Sequence, residues 1–229
     1  MNSPDENSNN PTDNAKSQDE MIEEIEAAEA DGDTDLVLAH LSTACSFRER
    51  GGNDQEDDND EEDEDEIYAW TEVAEEALDA YYRMMKSSKN TLDASTAVHH
   101  LNRLIAALGA WKEEEAIVEV ALGCIVALSS KARSNQEVDS NLDVDVDVDV
   151  RVVSEAMKAF SNEATIQEQA CLAIEGLALW REEWKVVFCN VEGIRDELVA
   201  AREERISNER NKAYPVRAAS ALGIELDGP

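Results

Sequence analysis

Ala170-Cys171-Leu172-Ala173-Ile174 decides the fold, because it is one of four copies of a single pattern, Ala-x-x-small-Leu/Ile. The others are Ala74-Glu75-Glu76-Ala77-Leu78, Ala121-Leu122-Gly123-Cys124-Ile125 and Ala218-Ala219-Ser220-Ala221-Leu222. Their first residues, 74, 121, 170 and 218, follow one another at intervals of 47, 49 and 48. A fixed period in this range marks stacked helical units, each unable to bury its apolar face alone. Two further copies, Ala107-x-x-Ala110-Trp111 and Ala156-x-x-Ala159-Phe160, lie 14 residues before the copies at 121 and 170. Two patterns in register predict two helices per unit.

Around these copies the periodicity is helical. Trp70, Ala74, Ala77, Leu78 and Tyr81 share one face of a helix expected over 67–85. Thr91 or Asp93 is placed to cap the next, which runs to about Trp111. The stretch 114–130 is apolar nearly all round, as befits a helix with neighbours on both sides. A short apolar helix is expected over 180–188, another over 191–205 capped by Asn190, and a last one opened by Pro215.

Charge divides the chain of 229 residues unevenly. Residues 1–66 carry 24 acidic and 3 basic side chains, and 67–229 carry 29 and 17. Low hydrophobicity with high net charge cannot offset the entropy of ordering. Residues 1–66 are therefore expected to be a disordered acidic tail with a capping helix near 35–47, and 67–229 the folded helical repeat domain. Asp54–Glu66, with 11 acids in 13 residues, reads as a solvated linker. The alternating run Asp143-Val144-Asp145-Val146-Asp147-Val148-Asp149-Val150 reads as part of a low-complexity loop over 134–150, since a lone strand would find no partner.

A net charge of −33 disfavours a nucleic-acid surface and an anionic membrane. No secretory signal opens the sequence, and no apolar run reaches the ~20 residues that span a bilayer. A cytoplasmic or nuclear protein is expected. Cys45, Cys124, Cys171 and Cys189 lack CxxC spacing and read as reduced structural thiols.

The residues 166–178, followed by Val191-Glu192-Gly193-Ile194, resemble an armadillo repeat. HEAT-type helical pairs are a close alternative. The resemblance is best across 165–201 and weaker over 67–130 and 213–226, and the period here is longer than that family's. It implies an all-α fold, a short right-handed α-solenoid of armadillo-like form. It also implies a protein-interaction scaffold, here expected to be a monomer. Armadillo proteins that read nuclear-import signals hold a peptide with Trp and Asn on the third helix. The matching positions here are Glu76, Gly123, Leu172 and Ser220 for Trp, and Ala80, Ala127, Gly176 and Ile224 for Asn. None is Trp or Asn, so import-signal recognition does not carry over.

No catalytic, phosphate-binding or zinc motif occurs. His99 and His100 diverge by roughly 100° on a helix, cannot serve one site, and read as surface residues. The acids at 113–115 and 182–183 flank helix starts, where they favour the macrodipole. Trp111, Trp180 and Trp184 read as packing between units. The chain is thus expected not to be an enzyme and to need no cofactor or metal. Its one basic enrichment, Arg195, Arg202, Arg205, Arg210, Lys212 and Arg217, is the candidate partner-binding set. The leading functional expectation is a non-enzymatic scaffold binding a protein along the solenoid face. The alternative is an acidic escort for basic clients, acting through the N-terminal segment.

Overall fold

A computed structural model describes residues 16–51, 60–87, 92–135 and 148–226, with side chains throughout except at 50–51 and 60–66. Every regular element in these residues is helical. In chain order they are α1 (Gln18–Asp31), α2 (Thr34–Gly51), α3 (Asp60–Lys86), α4 (Ala94–Ala110), α5 (Glu115–Ser134), α6 (Arg151–Ala159), α7 (Ala164–Trp180), α8 (Glu182–Cys189), α9 (Ile194–Ala200) and α10 (Ala213–Leu222). A π-helical turn, Ala201–Arg205, continues α9. No described helix is long and apolar enough to cross a membrane.

The repeated pattern lies where the helices pack. In α3, α5 and α7 its alanines and its Leu or Ile are fully buried, as is Ala218 in α10. These four helices pack in succession, α3 on α5, α5 on α7, and α7 on α10. Small residues permit close approach: the Cys124 thiol of α5 donates to the Leu78 carbonyl of α3 at 3.3 Å. A second succession, α2 on α4 and α4 on α6, lies against the first. Burying Leu104, Leu108, Ile117, Ile125 and their neighbours contributes about 1.5–3 kcal/mol per side chain, before the ordering cost.

The first third differs in part from the expectation: the helix expected near 35–47 is present as α2, but it does not sit in a disordered tail. Residues 1–15 and 52–59 lie outside the described residues, but α1 and α2 belong to the core. Met21, Ile25 and Ala28 are buried from α1, and Val37, Leu38, Leu41 and Ala44 from α2. Both helices pack on α3. The physical reason is local. Acids raise the average charge of the segment, yet Glu23, Glu26 and Asp31 are exposed while the apolar residues recur at 4 and 3 on the opposite side. Ser17 and Glu20 close a capping box at the start of α1, and Gly32 (φ 80°) ends it in a left-handed conformation that costs glycine nothing. Arg83 of α3 then grips Glu29 with two hydrogen bonds of 2.8 and 2.7 Å. Nor does the expected boundary at 66/67 hold, because it falls inside α3, which starts at Asp60 rather than in an extended linker.

Other boundaries follow the sequence closely. Asp93 caps α4, accepting from the Thr96 amide at 2.9 Å. Thr91, the other candidate, lies outside the described residues. Asn190 does not open a helix; α9 starts after Gly193, whose φ is 77°. Of the low-complexity loop, 136–147 lies outside the described residues, while Val148 and Val150 are buried at its end. These valines anchor the entry to α6.

Candidate functional site

A groove of about 450 Å³ crosses α3, α5 and α7. Tyr82, Met85, Lys86 and Ser87 supply one wall, Gly123, Val126, Ala127, Ser130 and Lys131 the floor, and Gln169 and Leu172 the far wall. The Tyr82 ring lies against α5 at Gly123, where a Cβ would meet its Cε2 at 3.6 Å, an ordinary van der Waals contact. Lys86 Nζ stands 5.0 Å from the centroid of that ring. Lys131 reaches from α5 to the end of α3 and donates to the Met85 carbonyl at 3.2 Å and the Ser87 carbonyl at 2.7 Å. It thereby satisfies carbonyls that α3 leaves open at its C-terminus. Burial holds the Lys131 amine below its ordinary pKa.

Three of the positions that correspond to peptide-holding residues in armadillo proteins, Gly123, Ala127 and Leu172, line this groove. The others do not. Ala80 and Gly176 are buried, Glu76 is engaged by Arg83 at 2.8 Å, Ser220 is exposed and Ile224 half-buried. Reading the sequence passed over Tyr82, Lys86 and Lys131. The available signal was the absence of bulk at Gly123 and Ala127 on a helix otherwise rich in large aliphatics.

The six basic candidates sit near the chain's other end. Arg205 bonds Glu197 at 2.6 Å and also donates to Gln167 Oε1 at 3.3 Å. Gln167 is fully buried and donates to the Met157 and Phe160 carbonyls at 2.6 and 3.0 Å, closing the end of α6. Arg202 pairs with Glu203 at 2.6 Å, Lys212 with Glu209 at 2.7 Å and Arg217 with Glu175 at 2.8 Å. Arg195 and Arg210 are exposed. Carboxylates of the same chain thus engage Arg202, Arg205, Lys212 and Arg217. In the packing order of the described helices, α5 and α7 stand between α3 and α10.

The two histidines separate. His99 is exposed, as expected, but His100 is fully buried, because a turn of 100° carries it to the α2–α3 side of α4. Its Nε2 lies 3.3 Å from Asp35 Oδ1 and its Nδ1 3.1 Å from the Tyr81 hydroxyl. Asp35 can only accept when ionised, so Nε2 carries the proton and Tyr81 donates to Nδ1. Desolvation lowers the His100 pKa against the opposing pull of Asp35, and raises that of Tyr81.

Cys45, Cys124 and Cys171 are buried and free, and Cys189 is exposed and free. Burial pushes the Cys45 thiol up to about 11 and the other two buried thiols further in the same direction, away from the reactive thiolate. Among the described residues no group of three His, Cys, Asp or Glu converges as metal donors would. Trp111, Trp180 and Trp184 are buried, and the last two meet edge to face at 4.9 Å. Glu115, Glu182 and Glu183 occupy first helical turns. Compared with protein-family models, with curated proteins and with solved structures, the chain matches none.

Proposed function

We propose that this chain is a non-enzymatic interaction scaffold, an armadillo-like helical solenoid that binds a protein partner on the face shared by α3, α5 and α7. The groove on that face carries the reading. It crosses three successive helices, and of its described lining residues Met85 alone is buried in the core, while Tyr82, Val126 and Ala127 pack against the core and keep part of their surface open to the groove. The regular succession of the four pattern-bearing helices supports the solenoid assignment. The chain acts as a monomer in the cytoplasm or nucleus. The acidic-escort reading draws on the charge of −33 alone.

A photo-crosslinking residue placed at Ala127, with a second at exposed Glu155 of α6 as control, tests the scaffold. In lysate of the cells that express the chain, a partner joined at 127 and not at 155 supports it. Equal labelling from both positions counts against it, and so does loss of the partner when Asp and Glu at 54–66 are changed to Asn and Gln.

A further inference from the structure

Asp and Glu make up 53 of the 229 residues, yet none of the eleven described residues lining the groove is acidic, and the two charged ones among them, Lys86 and Lys131, are cations. Most described basic side chains elsewhere have found a carboxylate: Arg83 has Glu29, Arg151 has Asp149, Arg217 has Glu175. The two groove lysines have none among the described residues. Lys131 has three N–H groups and gives two to neutral carbonyls, which leaves one donor and its full charge facing the groove. Lys86 rests over the Tyr82 ring, a contact that leaves its ammonium open to an anion. Burying part of a cation without a counter-charge is costly, and Lys131 holds its proton less firmly for that reason.

The rest of the lining is apolar or neutral. Val126, Ala127 and Leu172 form a half-buried aliphatic strip beside the lysines. Helices packed about 8–10 Å apart place the walls from α3 to α7 about 16–20 Å apart, the length of five or six extended residues. In an extended chain alternate side chains point to opposite sides. A segment that alternates acidic and aliphatic residues would set its carboxylates toward Lys86 and Lys131 and its aliphatic groups on Val126 and Leu172.

We infer that the groove's occupant is an extended partner peptide in which acidic and aliphatic residues alternate. This rests on the scaffold reading and names the chemistry that the scaffold selects. Fluorescence anisotropy of a labelled peptide, Asp-Val repeated four times, is measured against the full chain at low salt. Binding is expected, and a Lys-Val peptide and an Asp-Ser peptide of equal length are expected to bind far more weakly. Exposed ion pairs are modest, so Lys86→Glu should weaken binding by about three- to tenfold, and 0.5 M salt should do likewise. Lys86→Met should fall between the parent and Lys86→Glu. Lys112→Glu, beyond the end of α4, makes the same charge change away from the groove and should leave binding unaltered. Circular dichroism checks that each variant keeps its helices.

Equal binding of the Asp-Val and Lys-Val peptides, or an unchanged affinity in Lys86→Glu, overturns the inference. Binding that appears only after Asp143, Asp145 and Asp147 are replaced by Asn would put the chain's own segment in the groove, and overturns it too. No Asp-Val binding together with a specific crosslinked partner at Ala127 removes the acidic chemistry and leaves the scaffold standing. No peptide binding and no partner at Ala127 removes both.

Discussion

A Cβ on Gly176 of α7 would lie 2.3 Å from the Ser129 Oγ of α5 and 3.1 Å from its Cβ. The two helices meet closely at this point because one residue has no side chain and the other has a short one. Gly176→Ala gains about 1 kcal/mol of helix propensity. It must also push apart a contact that has no room to spare, at a typical cost of about 1–3 kcal/mol. A net loss of stability is expected in urea unfolding, and Ser129→Gly in the same chain should recover most of it. A more stable Gly176→Ala single variant would show that α5 and α7 pack less tightly than this.

Ile174 is fully buried at the last position of the third pattern copy. Ile174→Asp places an unpaired carboxylate among aliphatic side chains and should cost about 3–5 kcal/mol. Thermal melts followed at 222 nm decide the matter. A variant melting with the parent removes Ile174 from the core.

Acid should weaken the fold through its two buried histidines. His100 and His40 are both held below the ordinary imidazole value of 6.5, with desolvation the larger cause in each. A base whose pKa is depressed by folding takes its proton first in the unfolded chain. Stability is therefore complete above 6.5 and declines as pH falls below it toward the folded values. Asp35 opposes the decline at His100, while His99 and Arg103 reinforce it. At His40, Glu24 opposes and Lys16 reinforces. Glu75, raised by burial, acts in the opposite sense at lower pH. Urea midpoints at about pH 7.5 and about pH 5.5 should differ, with the lower pH less stable. His100→Asn should be less stable at both values and show a smaller difference between them.

A fragment of residues 67–229 should fold poorly by itself. Removing α1 and α2 strips from α3 two of the helices that pack on it and takes away the buried Met21, Ile25, Val37, Leu38 and Leu41 from the core. Lower melting temperature, a broader transition and binding of a hydrophobic dye are expected relative to the full chain. A fragment as stable as the parent would mean that the first two helices add nothing to the core.

The helices from 67 onward were legible because their apolar residues repeat at helical spacing and at a constant interval. Ala74, Ala121, Ala170 and Ala218 each proved buried. The helix expected near 35–47 was legible and is α2, but α1, and the place of both helices in the core, were obscured because charge averaged over 66 residues hides a narrow apolar stripe such as Met21, Ile25 and Ala28. His100 was misread for a related reason. Polarity argues for the surface, whereas its neighbours in space, Tyr81 and Asp35, lie 19 and 65 residues away and supply the partners that let it be buried. The groove depends on where three helices leave a gap, and no single helix carries that information. Only Gly123 and Ala127, small where the helix is otherwise bulky, hinted at it.

The packing order also bears on how the chain is made. Each described helix packs chiefly on helices one to three places from it along the chain. A nascent chain leaving the ribosome could therefore complete α1, α2 and α3 as a unit before α5 is translated, and add each later helix to a surface already formed. No described helix waits for a partner from the far end of the chain to cover most of its apolar side. The exposed edge of α3 is hidden only once α5 arrives, so a pause in translation between residues 87 and 115 would leave the apolar residues meant for α5 open to other chains.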